Sequence, residues 1–157
     1  MPKPARVAPL FGEFYSKAED IGPLASFEGG DSWVEHPYRA GIALLGDAAG
    51  TTDPSFGQGM SLSLRDARTL RDELSSSSDW DVAGHRYAEQ HDTYFQRCRT
   101  AAGWFRTIFQ EQTPEAASRR KRALPLIAED PTRVPDHLFS GPDMPLDDDV
   151  RARFFGE

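Results

Sequence analysis

The sequence predicts a thin α/β fold that is mostly helical, and three observations lead there. One short apolar run between glycines, "GIALLGD" (Gly41 to Asp47), has the form of a strand buried on both faces. The segment after it repeats apolar residues every three or four positions. A longer segment beyond "SSSSD" does the same, and prolines then crowd the remainder of the chain.

At 157 residues the chain is the size of one ordinary domain. Eighteen basic against 25 acidic residues give a net charge of -7, the wrong sign for holding nucleic acid through its phosphates. No apolar run approaches the roughly 20 residues of a bilayer span, and the N-terminus lacks the apolar core of a secretory signal. Cys98 is the single cysteine and can form no internal disulfide, so a reducing cytoplasm is the expected location.

Residues 1–40 are dense in Pro and Gly without a sustained period, and predict loops with one or two short strands. The strand at Gly41 to Asp47 follows. From about Gly57 an amphipathic helix is predicted, with Met60, Leu64, Ala67, Leu70 and Leu74 as its apolar stripe and Arg65, Arg68, Arg71 and Asp72 between. "SSSSD", Ser75 to Asp79, ends it and offers N-caps to the next helix. That helix carries Trp80, Ala83, Tyr87, His91, Tyr94, Cys98, Ala102, Phe105 and Phe109 on one stripe, read as core, with a weak point at Gly103. A short helix from Pro114 to about Leu124 is expected before Pro125, Pro131 and Pro135 break the chain into a loop-rich C-terminus. The basic run Ser118 to Arg122 fits the solvated face or C-terminal end of that helix. The last residues predict a final helical turn capped by Asp147 or Asp148, with Phe154 and Phe155 docked on the body.

The chemistry concentrates in "LLGDAAGTTDPSFGQGMS", Leu44 to Ser61. An acid at the carboxyl end of a strand, before a loop into a helix, occupies the place where open α/β sheets bind ligands. Asp47 can accept hydrogen bonds from ribose or polyol hydroxyls. The small residues Ala48, Ala49, Gly50, Gly57 and Gly59 let a bulky ligand lie against the backbone, and the unpaired N–H groups of the helix start favour an electron-rich acceptor. "GQGMSL" is not a G-x-G-x-x-G fingerprint, because Leu62 stands at the third glycine; there is no P-loop, and His85 and His91 are wrongly spaced for a zinc pair on a helix.

The stretch "GDAAGTTDPSFGQGMSLSLRDARTLRDEL", Gly46 to Leu74, resembles the second flavin-binding motif of FAD-dependent monooxygenases of the para-hydroxybenzoate hydroxylase-like (aromatic hydroxylase) family. The resemblance implies a flavin site in which Gly46, Asp47 and Ala48 meet the ribityl or pyrophosphate region of FAD. It also implies Pro54 beside the flavin ring, and Gly57, Gln58, Gly59, Met60 and Ser61 offering backbone N–H groups to the pyrimidine edge. That helix start would stabilise negative charge on the reduced flavin. Asp66 and Ala67 match the family's Asp-Ala pair, whose role is read as structural. Gly50 stands where many members have histidine and Ser61 where many have asparagine; Asp53 is left between a turn former and a flavin or substrate contact.

None of the 13 glycines supplies the N-terminal Rossmann fingerprint of that family. The expectation is therefore an α/β fragment: residues 1–40 a remnant of the substrate domain, and 41–157 the C-terminal part of the FAD-binding domain with a helical extension. Three readings stay open: a fragment of an enzyme that inserts oxygen into a small organic substrate with NAD(P)H as reductant, a subunit completing a split flavin site with a separately encoded N-terminal half, or a non-catalytic helical remnant. The chain alone would be inactive, bind FAD weakly or not at all, and expose apolar surface where the other half packs. His36, His85, His91 and His137 are read as structural or solvent-facing, so no catalytic residue and no metal ligand is assigned.

Overall fold

The computed structural model describes residue 19 and residues 22–23, 30–138 and 141–157. The expected loops of residues 1–18, 20–21 and 24–29 lie outside the described residues. Among the described residues, four two-residue strands come first: β1 (Ser32–Trp33), β2 (Tyr38–Arg39), β3 (Ile42–Ala43) and β4 (Gly50–Thr51). Four helices follow: α1 (Gly59–Ser76), α2 (Trp80–Phe109), α3 (Pro114–Glu129) and α4 (Asp148–Phe155). The described chain is thus mostly helical with a few short strands, as an α/β fragment would be.

The strands form two small antiparallel ladders. In one, Ser32 faces Thr51 and Trp33 faces Gly50; in the other, Tyr38 faces Ala43 and Arg39 faces Ile42. The hairpin between β2 and β3 turns on Ala40 and Gly41, both with positive φ, as a tight turn matching the right-handed strand twist demands. The doubly buried strand expected over Gly41 to Asp47 is not formed. Only Ile42–Ala43 is extended in a ladder, and Ile42 is 67% exposed. A two-residue hairpin covers one edge of β3 and nothing among the described residues covers its outer face, so this apolar run stays in contact with solvent.

α1 packs along α2, but on a different face from the one expected. Leu62 and Asp66 are buried, while Met60 is 79% and Leu64 67% exposed and Ala67 is exposed beside them. Most of the expected apolar stripe points outward, with Leu70 half-buried, because the partners that choose the inward face, Tyr94 and the Gly46 backbone, come from elsewhere in the chain.

α2 runs 30 residues, about 45 Å at 1.5 Å per residue. Asp79 caps it, accepting from the N–H groups of Asp81 and Val82. Its stripe is buried from Ala83 to Phe105, whereas the end residues Trp80 and Phe109 are exposed. Gly103 does not interrupt it.

α3 extends past Pro125 to Glu129, a correction to the expected break. The proline removes one backbone hydrogen bond. Packing offsets the loss: Ala123 is buried, and Ile127 lies against the cluster of Phe105, Ile108, Phe154 and Phe155. The loops after Asp130 then follow the prolines, and Asp147 caps α4 by accepting from Val150 N–H. Phe154 and Phe155 dock as expected.

The basic run is neither a plain solvated face nor a helix end. Arg119 and Arg122 pair with Glu157, Arg122 also donates to the Phe155 carbonyl, and Arg120 donates to the carbonyls of Thr107 and Glu111. These arginines clasp α3 to the C-terminal ends of α2 and α4, where free carbonyls await donors.

Candidate flavin site

The motif residues fold into two tight turns ahead of α1. Gly46–Ala48 makes the first, and Asp47 is exposed on it. Gly46 has φ +56, and a β-carbon there would lie 2.6 Å from Ser63 Oγ, so only glycine lets this turn rest on α1. Pro54–Phe56 makes the second turn, with Asp53 at its head accepting from Ser55 N–H at 2.9 Å and from Gln110 Nε2 at 3.2 Å. Those bonds hold the Asp53 carboxyl below the usual aspartate range, the Ser55 contact first among the causes. Asp53 is thus a turn former. Pro54 is exposed, and Phe56 anchors the turn against Phe105 with ring centroids 5.8 Å apart.

Gly57 closes that turn in the left-handed conformation, and α1 starts two residues later, at Gly59 rather than Gly57. Among the described residues no side chain caps α1, and its first turn holds no acid. Its positive end would suit an acceptor from outside the helix. β-carbons built at Gly57 and Gly59 would meet nothing within 4 Å, so the glycines here border open space. Gly50 differs. A β-carbon there would run into the Phe95 ring, which occupies the room a larger side chain would need.

Behind the first turn lies a buried polar cluster. Asp66 Oδ2 accepts from Gly46 N–H at 2.7 Å, and Oδ1 accepts from the Tyr94 hydroxyl. Tyr87 donates to the Leu44 carbonyl at 2.6 Å. His91 is fully buried, with Nε2 4.0 Å from Asp66 and Nδ1 3.7 Å from Asp92, both beyond hydrogen-bond reach. Burial pushes the His91 pKa down and, with the Asp66 carboxylate, pushes the Tyr87 and Tyr94 hydroxyls up, so all three side chains are neutral.

A family model described as an FAD binding domain matches residues 19–105, more than half of the chain. The chain belongs to the FAD binding domain family. FAD is accordingly its cofactor.

Over 78 residues the chain is 36% identical to a flavin-dependent monooxygenase from an unknown prokaryotic organism, a match covering 50% of this chain and 20% of that protein. The chain spans about a fifth of the length of that relative. No solved structure matches it.

The residues of this FAD binding domain chain fit the cofactor's chemistry. An exposed carboxylate at Asp47 suits hydroxyl donors, and the uncapped helix start bordered by open space at Gly57 and Gly59 suits an electron-rich ring edge. Turn 46–48 rests directly on α1, which brings these features side by side. The tyrosines behind the turn went unnoticed in the sequence because both sit on the stripe read as core. Their signal was two tyrosines seven residues apart on one helix face, opposite the acid Asp66.

The four histidines do not enter the site. His91 and His137 are buried, and His36 Nε2 and His85 Nδ1 pair with each other at 2.7 Å. Among the described residues no group of three or more His, Cys, Asp or Glu is placed to hold a metal ion, and no helix is long and apolar enough to cross a membrane.

Proposed function

We propose that this chain is the flavin-edge portion of a flavoprotein monooxygenase of the aromatic-hydroxylase type, one that uses NAD(P)H to insert oxygen into a small organic substrate. The observation that carries the reading is the open shelf made by the 46–48 turn on the uncapped start of α1. The flavin-dependent monooxygenase relative supports it. Asp47 would accept ribityl hydroxyls, Gly46 and Ala48 would let the cofactor approach the backbone, and Pro54 would border the ring. Gly57, Gln58, Gly59, Met60 and Ser61 would present the helix start to the ring's electron-rich edge. When bound, FAD supplies the redox chemistry that oxygen insertion requires.

The exposed row of Met60, Leu64 and Ala67 on α1 favours a second element of this reading. The remainder of a flavin domain, on the same polypeptide or on a separate one, would cover this row and grip the nucleotide half of FAD. These 157 residues alone would then bind FAD weakly and be inactive.

The test is a titration of the 15N-labelled chain with FAD, followed by amide shifts and by fluorescence quenching. Shifts at residues 46–48 and 54–61 with weak affinity are expected, and Asp47→Ala should weaken binding about tenfold or more by removing a charged acceptor. Shifts confined to other surfaces would overturn the site, and tight stoichiometric binding would overturn the need for a complementing half.

A further inference from the structure

We propose that Asp66, buried behind the flavin shelf, is a positioning residue that fixes the Gly46–Asp47 turn through the Gly46 N–H. Its consequence for cofactor binding rests on the flavin reading given above.

The carboxylate is 1% exposed and lies on the inward face of α1. Taking an ionised group out of water is costly unless donors converge on it. Two do: Gly46 N–H on Oδ2 at 2.7 Å, and the Tyr94 hydroxyl on Oδ1. Among the described residues no cation hydrogen-bonds to it; the nearest imidazole, His91, stands 4.0 Å away. A neutral residue would fill the space between α1 and α2 at lower cost, so the carboxylate's distinguishing contribution is to accept from two groups at once. One of these groups belongs to the turn that presents Asp47.

The corner is held from two sides. Tyr87 on α2 bonds the Leu44 carbonyl at 2.6 Å, and Asp66 on α1 bonds the Gly46 amide two residues on. Between them the backbone entering Asp47 has little freedom. A carboxylate held in one orientation loses less conformational entropy when it binds hydroxyls than one on a loose loop.

The experiment compares the wild type with Asp66→Asn, Asp66→Leu and Tyr94→Phe, reading the Gly46 amide shift and hydrogen exchange, FAD affinity and melting temperature. Asparagine keeps an oxygen for the Gly46 N–H while its amide nitrogen donates to the Tyr94 hydroxyl, which can accept as well as donate. In Asp66→Asn both Gly46 exchange and FAD affinity should therefore stay within about threefold of wild type. Leucine offers no acceptor, so in Asp66→Leu Gly46 exchange should rise and FAD affinity fall, each about tenfold. Tyr94→Phe should lower the melting temperature yet leave the Gly46 amide protected and FAD affinity within about threefold of wild type.

A purely structural Asp66 predicts instead that FAD affinity follows melting temperature across the series, Tyr94→Phe included. That pattern, or an unchanged Gly46 amide in Asp66→Leu, overturns the proposal. If the wild type shows no FAD-induced shifts at the shelf, the flavin reading falls, and the Gly46 amide series still decides whether Asp66 holds the turn.

Discussion

His91 sits fully buried between Tyr94 and Phe95, stacked on Phe95 with centroids 5.1 Å apart, and neither ring nitrogen has a hydrogen-bond partner among the described residues. Burial lowers its pKa more than Asp66 and Asp92 raise it, so the folded protein keeps it neutral. The unfolded chain takes up a proton below the ordinary histidine value of 6.5, and the folded one resists doing so. Stability is therefore full above that value and lost as pH falls below it, by up to about 1.4 kcal/mol per pH unit. Urea midpoints at pH 7.5 and 5.5 measure this. His91→Gln should flatten the difference, and a wild type equally stable at both values would refute the assignment. The Asp53, Asp130 and Asp143 carboxyls, all held low by hydrogen bonds, lose their contributions only at more acidic pH.

At the scale of one element, α2 contains two glycines with opposite demands. A β-carbon at Gly84 would collide with the Tyr38 ring, whose hydroxyl bonds Asp81 at 2.8 Å. One at Gly103 meets nothing within 4 Å. The same substitution should then change sign along one helix. Gly103→Ala gains helix propensity and should stabilise by about 0.5–1 kcal/mol. Gly84→Ala gains the same propensity but must displace Tyr38, and overpacking of about 1–3 kcal/mol outweighs it. Thermal melts of the two variants decide the matter; two shifts of the same sign would contradict the packing described for β2 on α2.

At the scale of the whole molecule, α2 is the spine of two separate hydrophobic clusters among the described residues. Leu62, Tyr94, Phe95 and Cys98 form one, behind the shelf. Phe105, Ile108, Ala123, Phe154 and Phe155 form the other, beneath α3 and α4. The second cluster lies mainly beyond the matched family region, which ends at residue 105. Neither cluster reaches the outer face of α1, where Met60 and Leu64 lie one helical turn apart in solvent. An uncovered row of this kind should make the chain self-associate as concentration rises. Sedimentation across a concentration series is the measure. Leu64→Glu should shift the chain toward monomer, and a wild type that stays monomeric throughout would count against this face being an interface.

Local features were legible because their causes are local. Asp79 and Asp147 announced their caps, the 3.6-residue period drew α2 nearly to its observed ends, and the glycines and proline between Gly46 and Gly57 fold, as small turn-forming residues do, into the two turns ahead of α1. Pro125 misled because a proline's cost is local while the packing of Ala123 and Ile127 that offsets it is not. The strand at Gly41 to Asp47 misled because an apolar run shows that burial would be favourable, not that a neighbouring strand exists to provide it.

By itself the sequence determined where α2 and α4 lie and the caps that Asp79 and Asp147 give them, all set by residues within a turn or two of one another. Only the tertiary structure decided which face of α1 is inside. Two stripes compete on that helix, Met60, Leu64 and Ala67 against Leu62 and Asp66, and local hydrophobicity favours the first. The second is buried because Tyr94, 28 residues away, and the Gly46 amide, 20 residues away, supply the donors that let an aspartate enter the core.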